Sequence, residues 1–166
     1  LVSDEKAEKL ISEFGLGWAK NLEDRFVQVK IGCCHGDFHG CNVLVDDNND
    51  PIIIDYGDID PGPACLDWVS LELSLIFHVA GCARATIWQT EEHCKTWSDQ
   101  EQFAQGGDFA TFVGACRSHA LSFGAGNREI CAVAYAYLLR QLAYDDTDKV
   151  RVLALLDSAR RCIDAS

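Results

Sequence analysis

The sequence predicts an α+β domain that is mainly helical, with one small β-hairpin set among the helices. Strand-like runs occur only in the first third of the chain, and the acidic segment 46–50 between two of them, 42–45 and 51–55, is typical of a turn. From Ala64 onward, apolar residues recur at helical spacing. A length of 166 residues suits one domain, 1–166, and 48% hydrophobic with 24% charged residues is a globular composition.

The individual elements follow from local signals in chain order. Ser3 is the predicted N-cap of a first helix that ends near Gly15, and a strand is predicted from Phe26 to Cys34. The run Ile52-Ile53-Ile54 predicts a hairpin strand covered on both faces, and the Gly- and Pro-rich segment 56–63 predicts a loop. Further helices are predicted over 64–80, 86–105, 108–123, 128–144 and 148–163, the last with Thr147 as its N-cap.

The charge and the cysteines restrict the possible partners and compartment. A formal net charge of -12 argues against nucleic acid and against anionic membranes, and no apolar run is long enough to span a bilayer. A cationic substrate or a metal ion fits this charge better. The nine cysteines form no C-x-x-C pair, so we expect reduced thiols in the cytoplasm.

Two segments carry the chemistry: His35-Gly36-Asp37-Phe38-His39-Gly40-Cys41-Asn42 and Ile54-Asp55-Tyr56-Gly57-Asp58. The first keeps the spacing from Asp to Asn of the protein-kinase signature H-R-D-L-x-x-x-N, and the second keeps the order of D-F-G. A hairpin joins the two segments and brings residues 42 and 55 to the same end.

Each residue type suits phosphoryl transfer, which needs positioning and charge neutralisation more than covalent chemistry. Asn42 and Asp55 offer oxygen ligands for Mg²⁺ from opposite strands of the hairpin. Asp37 is the predicted catalytic base, which accepts or orients the proton of a substrate hydroxyl. We expect His35 to brace the loop by hydrogen bonding.

These residues resemble the aminoglycoside phosphotransferase and choline kinase family, whose hallmark is H-G-D-x-H-x-x-N followed by I-D-x-x-D. The resemblance spans about residues 33 to 70. It implies that Asp37 is the base, that Asn42 and Asp55 hold Mg²⁺, and that Asp67 and His39 support the catalytic loop. It also implies the C-terminal lobe of a protein-kinase-like fold, in which the hairpin carries the catalytic and metal-binding loops.

The expected function is transfer of the γ-phosphoryl group of ATP or GTP to a small-molecule hydroxyl. No glycine-rich phosphate loop and no strand lysine precede His35, and only 34 residues do. We therefore expect the chain to be a fragment that lacks the N-terminal lobe. We expect that lobe to be a binding partner of this chain, and the chain to be inactive without it.

Two other functions stay open. The chain could be a pseudokinase-like binding module of a larger protein, or a metal-dependent hydrolase using His35, Asp37 and His39 as alternate strand residues. Asp58 and Asp60 are candidates for a second metal or substrate contact, and both also fit as solvated turn residues.

Overall fold

A computed structural model describes residues 3–84, 86 and 90–165 of the chain. Four short strands lie within these ranges: β1 Ile31–Cys34, β2 Val43–Val45, β3 Pro51–Ile53 and β4 Asp60–Pro63. Eight α-helices lie there too: α1 Asp4–Glu13, α2 Ala19–Glu23, α3 Leu66–Phe77, α4 Glu91–Lys95, α5 Gln100–Ala104, α6 Ala110–Phe123, α7 Asn127–Gln141 and α8 Lys149–Ala165. The prediction of a mainly helical chain with a small β part is confirmed.

The first helix has the predicted ends. Ser3 is the extended residue before α1, although its side chain makes no capping hydrogen bond. Gly15 has φ +67° and follows the last turn, where a left-handed residue lets Leu16 N donate to Ile11 O at 2.8 Å. The buried side chains of Leu10 and Ile11 anchor this helix on the core.

The predicted hairpin is present. Strands β2 and β3 pair antiparallel, with Val45 opposite Pro51. Asp46 Oδ1 accepts hydrogen bonds from Asn48 N and Asp50 N, each at 2.8 Å, so one carboxylate organises the connecting turn.

The predicted burial of the hairpin strand is wrong. Ile52 and Ile53 are 49% and 39% exposed, and all three residues of β3 are exposed. A run of β-branched residues indicates extended backbone, but it does not determine burial, which depends on what packs over the sheet. Within the described residues this hairpin forms a sheet of only two strands.

The segment 56–63, predicted as a loop, contains strand β4. It pairs antiparallel with β1, so that Ile31 lies opposite Pro63 and Cys34 opposite Asp60. Proline and glycine depress strand propensity, but proline is tolerated in an edge strand, and the partner strand determines the pairing.

The single helix predicted over 86–105 is also wrong. Residues 87–89 lie outside the described part of the chain, and the rest forms two short helices, α4 and α5. Thr90 Oγ1 accepts from His93 N, and Asp99 Oδ1 accepts from Gln102 N at 3.1 Å. Each capping side chain starts its own helix and so interrupts the apolar pattern.

The N-cap of the last helix lies one residue later than predicted. Asp148 Oδ1 accepts hydrogen bonds from Val150 N at 3.0 Å and from Arg151 N at 3.2 Å. Thr147 is buried instead. Asp is at least as good an N-cap as Thr, and its charge also favours the helix N-terminus.

The core lies among the helices, where α7 and α8 pack against each other and α3 packs on α6 and α7. Its largest fully buried side chains include Trp97, Phe103, Leu73, Ile130, Leu138 and Leu155. None of the helices in the described ranges is long and apolar enough to cross a bilayer.

A buried ion pair joins three parts of this core. Glu72 of α3 and Arg117 of α6 are 2% and 3% exposed, and Arg117 Nη2 donates to Glu72 Oε1 at 2.9 Å. Trp97 Nε1 donates to the same Glu72 oxygen at 2.8 Å, and the guanidinium carbon lies 3.9 Å from the centre of the Trp97 ring. Arg117 also donates to Trp97 O, so each of the two buried charges has more than one hydrogen bond.

Removal of the Arg117 side chain should therefore lower the stability of the fold far more than removal of an exposed cation. In Arg117→Met the carboxylate of Glu72 stays buried without its counter-ion, and we expect the free energy of unfolding to fall by about 3–5 kcal/mol. Lys95, which pairs with Glu91 and Glu92 at the surface, supplies the control Lys95→Met, which should leave stability nearly unchanged. Urea unfolding followed by circular dichroism measures both, and equal stability losses would contradict the role given to Arg117.

Candidate active site

Two connections between the small sheets carry the residues singled out by the sequence. The motif loop (residues 35–42) leaves β1 and ends in a 3-10 turn, Gly40–Asn42, before β2. The second segment (residues 54–58) leaves β3 and ends in a 3-10 turn, Tyr56–Asp58, before β4. Since β1 pairs with β4 and β2 with β3, the two connections run between the same two sheets.

Asp67 holds the start of the motif loop. It lies in the first turn of α3, and its two carboxylate oxygens accept the backbone N–H of His35 at 2.7 Å and of Gly36 at 3.1 Å. Backbone donors on a carboxylate form charge-assisted hydrogen bonds, which are stronger than neutral ones. The helix therefore fixes where the motif loop begins.

Gly36 lets the two connections approach closely. Its φ is +84°, and a Cβ built there would lie 2.4 Å from the backbone oxygen of Asp58. A side chain at this position would need both a left-handed backbone and displacement of the second segment.

His35 joins the motif loop to the second segment. Its ring is buried, and Nε2 lies 2.8 Å from the backbone oxygen of Ile54. Because a carbonyl only accepts, Nε2 carries the proton in this contact. Nδ1 is buried and has no hydrogen-bond partner among the described residues.

Asn42 and Asp55 are connected through the backbone of the hairpin. Ile54 N donates to Asn42 O at 3.0 Å, and Asp55 follows directly. Asn42 is 6% exposed, and its Nδ2 donates to the backbone oxygen of Asp37 at 2.9 Å, which leaves Oδ1 as the oxygen that can face a cation. Asp55 has the left-handed backbone φ +64°, ψ +61°, which is uncommon outside glycine and costs free energy.

Asp37 and His39 contact each other at the surface of the motif loop. His39 Nε2 lies 3.5 Å from Asp37 Oδ2, and the Asp37 carboxylate is about half exposed. His39 Nδ1 accepts from Cys41 N at 3.2 Å. The carboxylate is thus accessible to a substrate while its neighbour restrains it.

His78, which the sequence did not single out, stacks on His39. The ring centres are 4.2 Å apart, and His78 is the C-cap residue of α3. Burial, followed by the adjacent His39, lowers the pKa of His78. No local pattern marks this residue, because the two histidines are far apart in the sequence and only the fold brings their rings together.

A cavity of about 1140 Å³ opens beside the motif loop. Asp37, His39 and Asp58 line it, whereas Asn42, Asp55 and Asp60 do not. The remaining wall is rich in acidic and tyrosine side chains: Asp4, Glu8, Glu23, Asp146, Tyr135, Tyr137 and Tyr144. The candidate base thus faces a space large enough for a small organic molecule.

The three residues of the alternative hydrolase site do not converge. Within the described ranges, His35, Asp37 and His39 do not bring three ligand atoms to one point. The ring of His35 turns inward to Ile54 O, whereas His39 faces Asp37. As alternate residues of a strand, the three side chains would share one face, but residues 35–39 form a loop.

Comparison with known proteins identifies one family. The model of the phosphotransferase enzyme family matches residues 3–115, which is more than half of the chain. The match includes the motif loop, the second segment and Asp67. Neither a curated protein nor a solved structure matches the chain.

The close approach of the motif loop and the second segment at Gly36 can be tested by substitution. In Gly36→Ala the left-handed backbone alone costs about 1–2 kcal/mol, and the clash with Asp58 O adds to it. We expect the free energy of unfolding to fall by at least that amount. Gly40→Ala is the matched control in the same loop, because a Cβ at that position would have nothing within 4 Å and its φ is not positive.

Chemical denaturation of the two variants measures the difference, and Gly40→Ala should stay within about 0.5 kcal/mol of the parent. If both alanines are tolerated equally, the two connections do not approach each other as described.

Proposed function

The chain belongs to the phosphotransferase enzyme family, and we propose that it is the catalytic lobe of a kinase-like enzyme. The reaction is transfer of the γ-phosphoryl group of ATP or GTP to a hydroxyl of a small molecule. In this proposal Asp37 is the catalytic base, and Asn42 and Asp55 are the ligands of Mg²⁺. His35, His39 and Asp67 support the motif loop, while Asp58 contacts the acceptor.

The observation that carries the proposal is the position of Asp37. Its half-exposed carboxylate lies on the wall of the 1140 Å³ cavity, on a loop held to α3 by Asp67 and to the second segment by His35. An acceptor hydroxyl in this cavity can donate its proton to Asp37, and rigid positioning of that contact lowers the barrier to transfer.

The lining favours certain acceptors. Its acidic side chains outnumber its two arginines, Arg84 and Arg140, and Arg84 is already paired with Asp146 at 2.7 Å. The Tyr135 hydroxyl donates a hydrogen bond to Glu23 Oε1 at 2.8 Å, so this acid of the wall has a polar partner. A neutral or cationic hydroxyl compound is therefore favoured over an anionic one.

The donor set at the hairpin suits Mg²⁺. Asn42 offers an amide oxygen and Asp55 a carboxylate, and oxygen ligands from one or two side chains plus phosphate oxygens are what Mg²⁺ takes. When bound, this ion neutralises charge on the transferred phosphoryl group. The hydrogen bond from Asn42 to Asp37 O ties the metal ligand to the base, so one loop sets both positions.

The phosphate-clamping lobe is proposed to pack over the two small sheets. Apolar side chains there are exposed without cover from the described residues, and they include Ile31 at 69% and Val45 at 63%. The others are Leu44, Ile52, Ile53, Tyr56 and Ile59. Such a surface is typical of an interface, and a lobe placed on it would lie beside the second segment. We propose that the chain alone is inactive for lack of this lobe.

We further propose that the protein resides in the cytoplasm. Within the described residues, the cysteines form no disulfide. Burial raises the pKa of Cys65, Cys94 and Cys116 to about 12, so these thiols stay protonated and pack as small apolar groups.

The base is tested in the protein that carries both lobes. Asp37→Asn keeps the shape of the side chain but removes the proton acceptor, and we expect kcat to fall by roughly 10²–10⁴-fold. Asp47→Asn, an exposed change in the hairpin turn, is the control and should keep full activity. The assay is nucleotide consumption over a panel of hydroxyl compounds.

His39→Ala should be milder than Asp37→Asn, because His39 acts through its 3.5 Å contact with Asp37. If Asp37→Asn matches the parent while His39→Ala is inactive, the assigned roles are wrong. If no compound is phosphorylated by the protein with both lobes, a non-catalytic binding module replaces the enzyme.

The metal ligand is tested by its dependence on magnesium. Asp55→Asn loses one carboxylate of the cation site, so activity should fall and the Mg²⁺ concentration for half-maximal activity should rise, with partial recovery at high Mg²⁺. The control is again Asp47→Asn, since Asp47 is exposed in the hairpin turn and does not line the cavity. An unchanged magnesium dependence in Asp55→Asn would remove this residue from the proposed site.

A further inference from the structure

A second group of potential metal ligands lies beside the proposed base, and it differs in chemistry from Asn42 and Asp55. His39, Cys41 and His78 each bring one ligand atom to within 4.8 Å of the others. Cys41 Sγ lies 3.8 Å from His78 Nδ1. In a tetrahedral zinc site with Zn–S of about 2.3 Å and Zn–N of about 2.0–2.1 Å, sulfur and nitrogen lie roughly 3.6 Å apart.

We propose that His39, Cys41 and His78 form a binding site for a divalent ion of the zinc class. Two imidazoles and a thiolate are borderline to soft ligands, which bind zinc strongly and magnesium poorly. One coordination position stays open to water. The site therefore does not compete with the oxygen ligands for Mg²⁺, although Cys41 is the residue next to Asn42 in the chain.

The protonation of the two rings already suits coordination. His39 Nδ1 accepts from Cys41 N, and His78 Nδ1 accepts from Ala80 N, each at 3.2 Å. Both Nδ1 atoms therefore hold a lone pair. Cys41 and Ala80 are exposed, so water can take over their N–H groups when the lone pairs turn to a metal.

Ion binding requires only a small rearrangement. The two rings now stack at 4.2 Å with 24° between their planes, so one ring must rotate to bring both nitrogens to one ion. The Cys41 thiol loses its proton to solvent as the sulfur binds. His39 and Cys41 belong to the motif loop, and His78 ends α3, so the ion would link loop and helix.

The surrounding charges favour a cation overall. Asp37 Oδ2 lies 3.5 Å from His39 Nε2, and the carbonyl end of α3 also attracts positive charge. Arg84 opposes this, since it donates to Phe77 O at 2.9 Å, but its own charge is paired with Asp146. An ion on His39 would lie close to the Asp37 carboxylate and would hinder its contact with an acceptor hydroxyl.

The direct test is cobalt binding to the purified, reduced chain. Co²⁺ in a tetrahedral site with a thiolate gives intense visible bands and a sulfur-to-cobalt charge-transfer band. We expect one such ion per chain, bound with release of the Cys41 proton and afterwards displaced by Zn²⁺. Cys41→Ser and His78→Gln should each weaken Zn²⁺ binding by about 100-fold or more. This loss of affinity exceeds the one that is typical when a residue that only hydrogen-bonds to a metal ligand is replaced.

Cys33→Ser is the control, because it removes another exposed thiol outside the group. It should keep the charge-transfer band, and His93→Gln should do the same for a histidine elsewhere. Absence of the band in the parent chain would overturn the proposal. Its persistence in both Cys41→Ser and His78→Gln, or its loss in Cys33→Ser, would do so as well.

The effect on catalysis rests on the proposed function and is measured separately. Zn²⁺ should inhibit phosphoryl transfer by the protein with both lobes, without competing with Mg²⁺, and Cys41→Ser should relieve the inhibition. Inhibition unchanged by Cys41→Ser would overturn this consequence. The cobalt spectrum needs no activity, so failure of the metal site and failure of the proposed phosphotransferase reaction give different results.

Discussion

The Asp67 carboxylate is the contact on which the position of the candidate site depends. It accepts two backbone N–H groups, of His35 and Gly36, at the start of the motif loop. Such a loop is positioned by its contacts with something rigid, and these also include the buried ring of Phe38, which lies 6.1 Å from the ring of Trp68. Here the rigid element is α3, and the carboxylate lies in its first turn, where the helix dipole also favours negative charge.

Helix α3 connects the site to the core at three points along its length. Asp67 holds the motif loop, Glu72 pairs with the buried Arg117 of α6, and His78 at the end stacks on His39. The middle contact is the most costly to disturb, because a buried charge without its partner is strongly destabilising. A substitution at Arg117 that displaces α3 is therefore expected to displace the motif loop as well.

The hairpin and the motif residues could be predicted from sequence, because their signals are local. Asp46 and its neighbours mark a turn whatever surrounds them, and Asp37 and Asn42 are separated by a fixed short spacing. Strand β4 could not be predicted in this way, because pairing with β1 creates a strand where prolines argue against one. His78 reaches His39 only through the packing of α3, which no short motif encodes.

The same loops also contain the least favourable backbone in the site. Asp55 has φ +64°, and the buried Nδ1 of His35 lacks a partner among the described residues. Left-handed backbone and an unpaired buried nitrogen each cost free energy, so the surrounding contacts must hold them in place. The hydrogen bonds that Asp67 and Ile54 O accept from His35, and the one that Asn42 donates to Asp37 O, are those contacts. Polar groups that are fixed before a ligand arrives need no reorganisation, and this arrangement stabilises one geometry of the site at the expense of local stability.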